Sequence, residues 1–272
     1  MTTIVRDAAT IVLARDGEDG VEVYLTRRGA SAAFMPDRYV YPGGRVDHDD
    51  ASLAGRLVPK DLPRAASLGT IMTEERAAAL VVAGLRECFE EAGVLFAEPV
   101  ASDNALRAWR TRLVEKTGSF AAMVETLDLR LQSAALVCFD HWITPTFEAR
   151  RYDTRFFVAR MPARQVAIAD NVEVYDGRWW RPSSALEAYA RREILLAPPT
   201  LCTLQDLAPF GTVDALMAWA AERVVVPILP TLEEIGGVPT LLLPGDPRYP
   251  ASMPCAGPHR IRNVDGVWER TP

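Results

Sequence analysis

The chain is poor in the residues that build thiolate and imidazole metal sites. Its 272 residues include four cysteines, Cys88, Cys138, Cys202 and Cys255, and three histidines, His48, His141 and His259. The cysteines lie far apart with no CxxC pair and the histidines are scattered, which argues against a zinc site or a disulfide framework. Reduced thiols fit a cytoplasmic setting, and any metal is expected on carboxylates. Long apolar runs are absent as well: no window reaches the roughly 18 uncharged apolar residues of a membrane helix. The opening MTTIVRDAATIVLAR is broken by Arg6, Asp7 and Arg15, unlike a secretory leader, and Glu269-Arg270-Thr271-Pro272 holds no retention or peroxisomal tripeptide. Nor is there a basic excess. With 30 Lys and Arg against 36 Asp and Glu, the formal charge of -6 argues against a general nucleic-acid binder. What remains, 49% apolar and 24% charged residues, describes a globular protein of one to one-and-a-half domains with an ample core.

Periodicity divides the chain. Ala8 to Ala14, a turn over Asp16 to Gly20, and alternating Val21 to Thr26 predict a hairpin. Tyr39-Val40-Tyr41 then runs into Pro42-Gly43-Gly44. Residues 51–72 contain Pro59 and Pro63 and no firm period, and read as an irregular insertion. Thr73 followed by Glu74 and Glu75 predicts a helix start, and Gly93 a left-handed stop. A helical insertion over 103–131, broken near Gly118, precedes strands at 134–143, 155–159 and 172–180. Helices are predicted at 183–192 and 213–223. Beyond Val224 the tail holds nine of the twenty prolines and two strand-like segments, 239–243 and 260–268. It reads as an extension packed on a main domain of residues 1–223.

Chemistry concentrates in Arg86-Glu87-Cys88-Phe89-Glu90-Glu91-Ala92-Gly93-Val94. On a helix, Glu87, Glu90 and Glu91 fall at i, i+3 and i+4 and share one edge, while Val81, Leu85, Cys88 and Ala92 form the apolar stripe beside it. Carboxylates this close raise one another's pKa unless a cation joins them, and a hard divalent ion prefers such oxygen ligands. A solvated acidic face is the plain alternative for a bare ExxEE. The Gly-Gly loop with Asp47, Asp49 and Asp50, and the full string RExxEExG, favour the metal reading.

This pattern resembles the Nudix box: glycine, five residues, glutamate, seven residues, then REUxEExGU with U aliphatic. Gly44 matches the first glycine; Arg86, Glu87, Glu90, Glu91, Gly93 and Val94 match the second half. Asp50 stands where the first glutamate belongs, and 35 residues separate it from Arg86 instead of seven. The long insertion is similar to that of the Nudix subgroup containing the peroxisomal coenzyme A diphosphatase of animals and its bacterial relatives. Phe34-Met35-Pro36, Tyr41-Pro42-Gly43-Gly44, Trp142-Ile143-Thr144-Pro145, Arg151 to Phe157 and Pro198-Pro199-Thr200 carry that likeness. An upstream coenzyme A signature fits at its ends, Leu25-Thr26-Arg27-Arg28 and Tyr41 to Gly44. Its middle departs, with Ala32-Ala33 for Leu-Arg and Asp37 for glycine.

The resemblance implies an α+β Nudix fold, an α/β/α sandwich with a mixed sheet. It implies a diphosphatase acting on a nucleoside diphosphate derivative with Mg²⁺ or Mn²⁺ on Glu87, Glu90 and Glu91. Arg86 is expected to orient a carboxylate, with an i,i+4 pair to Glu90 as its plain alternative. Gly43 and Gly44 would let backbone pass close to metal and phosphate. Asp47 and Asp50 are auxiliary acids or solvated loop residues. Arg27 and Arg28 could grip phosphate or form a solvated edge. Arg151, Asp153 and Arg155 share a strand face and could meet substrate or form an internal ion network. Phe34, Tyr39 and Trp142 are candidates for base stacking or core packing. Coenzyme A or an acyl derivative leads the substrates, with NADH, ADP-ribose and other dinucleotides open. A non-catalytic nucleotide-sensing regulator, or an interaction module centred on the tail, are the rival classes. No nucleic-acid or membrane partner is expected, and a homodimer is compatible with the sequence.

Overall fold

Two long strands, buried on both faces along their middles, lay down the sheet that carries everything else. In the computed structural model, which describes residues 4–30, 32, 35–58, 72–250 and 259–271, β1 (Val5–Gly17) and β2 (Gly20–Arg28) form the predicted hairpin, each strand longer than expected. Two short strands follow, β3 (Arg38–Val40) and β4 (Gly43–Arg45). The start of the insertion is more regular than its sequence suggests. A 3-10 turn at Asp50–Arg56 leads into β5 (Leu57–Val58), because Leu53 and Leu57 are drawn into the core. Pro59 and Pro63 lie outside the described residues.

Helix α1 (Glu74–Ala92) starts where Thr73 accepts the Arg76 N–H at 3.2 Å and stops at Gly93, whose φ is 71°. After β6 (Ala97–Glu98), Ser102 and Ser119 cap α2 (Asp103–Val114) and α3 (Phe120–Thr126), the two helices of the insertion. β7 (Arg130–Gln132) pairs with both β5 and β6 in a small sheet. The main sheet resumes with β8 (Val137–Ile143), β9 (Arg151–Arg160) and β10 (Val174–Trp180). Then come α4 (Pro182–Ala190), β11 (Leu195–Leu196), α5 (Pro198–Leu207) and α6 (Val213–Glu222). No periodicity in the sequence predicts α5. Pro198 and Pro199 look like helix breakers, yet proline is welcome in a first turn, where its missing N–H has no partner to lose.

The main sheet runs β11-β3-β2-β1-β9-β8, with β10 on β2 and β4 on β1. β1 and β9 are parallel from Val5–Arg151 to Ala14–Arg160 and β11 is parallel to β3, while the remaining pairs are antiparallel, so the sheet is mixed. Its two faces bury different partners. Ala9, Ile11 and Leu13 pack with Val81, Leu85, Cys88 and Ala92 of α1. Val12, Ala14, Val23 and Leu25 pack with Ala185, Leu204 and Leu216 of α4, α5 and α6. The expected α/β/α layering follows, each buried aliphatic side chain contributing about 1.5–3 kcal/mol.

The tail forms a sheet of its own, with β12 (Thr231–Ile235), β13 (Val238–Leu242), β14 (Arg260–Val264) and β15 (Val267–Thr271) all antiparallel. Leu241, Leu243 and Ile261 join the core beneath α4 and α5. Ile228 extends β8, exchanging backbone hydrogen bonds with Ile143 and His141 at 2.8 and 2.9 Å. The Tyr189 hydroxyl fastens β15 to α4, accepting from Trp268 N–H at 2.7 Å and reaching Trp268 O at 3.2 Å. Among the described residues no helix is long and apolar enough to cross a membrane.

Candidate diphosphate and metal site

The site forms where β4 presses against the last turns of α1. β4 is glycine-rich for a steric reason. A Cβ on Gly43 would stand 2.6 Å from the Ala9 carbonyl oxygen and 2.8 Å from Thr10 Cα, and one on Gly44 would collide with the Glu87 carboxylate. With both absent, the backbone reaches the helix, and Gly43 N–H donates to Glu91 Oε2 at 3.0 Å. The glycines thus bring main chain to within touching distance of two of the three carboxylates.

Arg86 is buried and spans the acids. Its Nε and Nη2 fork onto Asp50 at 2.9 and 3.1 Å, Nη2 also donates to the Arg45 carbonyl at 2.8 Å, and Nη1 donates to Glu87 at 2.8 Å and Glu90 at 3.4 Å. The pair with Glu90 is therefore one part of a larger clasp. Asp50 is itself buried and accepts the Asp47 N–H at 2.7 Å. It ties the Gly-Gly loop to the helix through the arginine fork, a planar geometry lysine could not supply. Asp47 is half exposed, paired with Arg45 at 2.9 Å and 3.8 Å from Arg86.

The helix end carries more negative charge than this one arginine balances. Burial, then the charge of Glu87, pushes the Glu91 carboxyl well above its usual range, with the Gly43 N–H partly offsetting them. Burial also raises Glu87 and Asp50, Arg86 opposing the shift in each case. Glu90, with a quarter of its side chain exposed, is raised to about 7 by burial and the neighbouring Glu87. Burial works against the Arg86 charge, but Glu87, Asp50 and Glu90 more than compensate and raise its pKa. No basic residue lies in the last turn of α1, where the helix dipole already disfavours anions.

These donors suit a hard divalent cation: three carboxylates on one helix edge, Glu91 buried and Glu87 nearly so, both raised chiefly by burial. They do not stand as a finished cage. Among the described residues no three Asp, Glu, His or Cys side chains are already grouped so as to hold an ion. The chemistry of the donor set fits the group, and the approach of the acids is incomplete.

The flanking arginines part company. Arg28 is partly buried; among the described residues its Nε has no hydrogen-bond partner, and its charge opposes the rise at Glu91. Arg27, next along β2, is exposed on the opposite face, where its charge acts on Tyr39 and Asp176. Arg151 donates to the Thr144 carbonyl at 3.0 Å. Arg155 is fully buried and paired with Asp153, which also meets His141 at 2.6 Å and Arg76 at 3.3 Å. Its expected place at the substrate gives way to the internal network that was the other reading, because pairing of β8 with β9 sets His141 opposite it. Tyr39 and Trp142 are buried, Trp142 donating to Asp140 at 2.8 Å, while Phe34 lies outside the described residues. Asp37, where the coenzyme A signature has glycine, adopts a φ of 58°, a left-handed conformation that aspartate tolerates better than most residues.

Two contributors escaped the sequence. Arg110 of α2 donates to the Glu90 carbonyl at 3.0 Å and the Ile168 carbonyl at 2.7 Å, closing the end of α1 from outside. Asp170, between β9 and β10, places its charge near Glu91. Neither belongs to a local motif, and each reaches the helix from a distant part of the chain.

A mixed sheet between helical layers, with an acidic helix edge behind a Gly-Gly loop, is the architecture of a Nudix hydrolase. The crystal structure of a Nudix hydrolase from Alicyclobacillus acidocaldarius superposes with a TM-score of 0.66 at 24% identity, over 80% of this chain and 97% of that one. The family described as the NUDT19 Nudix domain matches residues 63–207, just over half the chain, and the protein belongs to that family. The acyl-coenzyme A diphosphatase NUDT19 of Xenopus laevis is 27% identical over 283 residues, spanning 87% of this chain and 73% of its own. That of Homo sapiens is 27% identical over 273 residues, spanning 85% and 73%. A putative Nudix hydrolase 7 of Caenorhabditis elegans is 27% identical over 274 residues, spanning 98% and 82%.

Proposed function

We propose that the protein hydrolyses the diphosphate linkage of coenzyme A or an acyl-coenzyme A, with Mg²⁺ or Mn²⁺ held by Glu87, Glu90 and Glu91. The observation that carries this is the pair Glu87 and Glu91, packed against the Gly43–Gly44 backbone and raised chiefly by burial, with the charge of Glu87 adding to the shift at Glu91. A bound divalent ion supplies neutralisation of the phosphate charge and a lower pKa for an attacking water.

The chain's own groups supply position. Arg86 fixes Glu87 and, through Asp50, the loop; Gly43 N–H fixes Glu91. Glu90 is the most exposed of the three. Arg28 brings an incompletely paired guanidinium towards the helix end and is suited to a phosphate oxygen. Arg27, Arg151 and Asp47 would act at the margins of the substrate, and Asp50 through Arg86. The names of the vertebrate relatives favour the acyl-coenzyme A reading over NADH or ADP-ribose.

The test is a screen with Mg²⁺ and with Mn²⁺ against coenzyme A, acyl-coenzyme A, NADH and ADP-ribose, products identified by mass. Cleavage of a coenzyme thioester into two phosphate-bearing products is expected, and Glu91→Gln should lower turnover at least ~10²-fold with the melting temperature retained. Nucleotide binding without cleavage would instead support a sensor.

A further inference from the structure

Exposed apolar side chains are not spread evenly over the surface. Of the twelve large hydrophobic residues exposed among the described residues, four fall between 166 and 175: Val166 (72% exposed), Ile168 (56%), Val172 (57%) and Tyr175 (39%). Residues 166–169 alternate like a strand although they lie outside any strand. Ala167 and Ala169 turn inward while Val166 and Ile168 turn out, so two aliphatic side chains occupy positions where solvent favours polar ones.

The segment is held firmly against the end of the acidic helix. Ile168 N–H donates to the carbonyl of Ala92, the residue after Glu91, at 2.8 Å, and Arg110 clasps the Ile168 carbonyl at 2.7 Å. Gln165 bonds both the N–H and the carbonyl of Leu95, at 2.8 and 2.7 Å. Asp170 turns inward and accepts the N–H groups of Val172, Glu173 and Val174 at 2.7, 3.0 and 3.1 Å. On its far side Val174 pairs with Arg28, and a Cβ on Gly29 would touch the Tyr175 ring at 3.2 Å. The rim therefore runs from the last turn of α1 to the arginines of β2. Its backbone polar groups are largely engaged in shaping it, and the four exposed apolar side chains stand in an already ordered segment beside exposed Asn171 and Glu173.

Resting on the function proposed above, we infer that Val166, Ile168, Val172 and Tyr175 form an apolar rim that receives the aliphatic part of an acyl thioester while its diphosphate lies at Glu87, Glu90 and Glu91. A preordered rim favours binding because little conformational freedom remains to be lost when the chain settles on it. It discriminates acylated from free coenzyme A by apolar area, whereas the carboxylates and arginines meet the part both substrates share.

The experiment uses the full chain with Ile168→Ser and Val172→Ser combined, substitutions that leave the backbone hydrogen bonds of both positions in place. Steady-state kinetics are measured with free coenzyme A and with short, medium and long acyl thioesters. We expect the wild type to show a KM that falls with chain length. The double variant should raise KM for the longest thioester at least ~10-fold, with kcat/KM for free coenzyme A within about twofold and an unchanged melting temperature. Ile168→Leu with Val172→Leu should restore the length preference. An unaltered ratio of long-acyl to free-coenzyme turnover in the serine variant overturns the rim while leaving the function standing. Loss of a wild-type dimer in light scattering, with that ratio unaltered, would make the surface a contact between copies and overturn it likewise. A wild type that cleaves no coenzyme A species refutes the function itself, and the rim with it.

Discussion

Glu87, Glu90 and Glu91 were legible in the sequence because a helix translates spacing into neighbourhood without help from the rest of the fold. Arg155 was not, since the network around it is completed across the fold: its partner Asp153 is also met by His141 from β8 and by Arg76 from the far end of α1. Glu90 gives the site a measurable pH signature. Its folded pKa of about 7 exceeds its ordinary value of 4.5, so between those values the native state holds more protons than the unfolded chain. Its contribution to stability is full below the unfolded value and lost as pH rises through about 7, and the raised Glu87 and Glu91 act in the same direction. With divalent ions chelated, the urea midpoint should fall between about pH 5 and about pH 7.5, more steeply in the wild type than in Glu90→Gln. Parallel slopes would show that Glu90 titrates normally.

At the scale of elements, α1 was readable end to end, since Thr73 and Gly93 mark its limits by local chemistry. The helix α5 hid behind its prolines, and Leu53 and Leu57 gave no period from which their burial could be foreseen. The β4 loop shows how adjacent glycines can serve different ends. Gly43→Ala places its methyl against the fixed backbone of Ala9 and Thr10, and should cost about 1–3 kcal/mol of stability, seen as a lower melting temperature. Gly44→Ala meets the tip of a side chain that can swing aside, so the fold should hold while Glu87 is displaced. Turnover should then drop about tenfold or more with a nearly native melting curve. If Gly44→Ala proves the more destabilising of the two, this division of labour is wrong.

Over the whole molecule, the hairpin of β1 and β2 was legible in an apolar run and an alternating one, and the sandwich in the family resemblance, but the place of the tail in the core was not. The tail's composition reads as an extension packed on the main domain, without showing that Leu241, Leu243 and Ile261 complete the core under α4 and α5. Cross-chain closure of this kind leaves no local trace, because each strand is short and the residues it meets lie far back in the sequence. Tyr189→Phe removes the hydroxyl that both donates to and accepts from Trp268, and should lower stability by about 1–3 kcal/mol without changing kcat. Removal of residues 224–272 should go further, exposing the β8 edge to which Ile228 is bonded and promoting association in light scattering. A truncated chain that stays monodisperse and melts like the full one would show the tail to be dispensable to the fold.

On the proposed function, the crowding of anions at the wrong pole of α1 would make the protein's durability a function of its ionic surroundings. A divalent ion taken up there relieves repulsion in the native state that the unfolded chain does not suffer, so thermodynamic linkage requires the two equilibria to move together. Melting temperature should climb with the logarithm of free Mg²⁺ or Mn²⁺, and Glu91→Gln should blunt the climb even where no turnover can be measured. In a cell short of such ions the molecule would lose catalytic competence and resistance to unfolding by one and the same event.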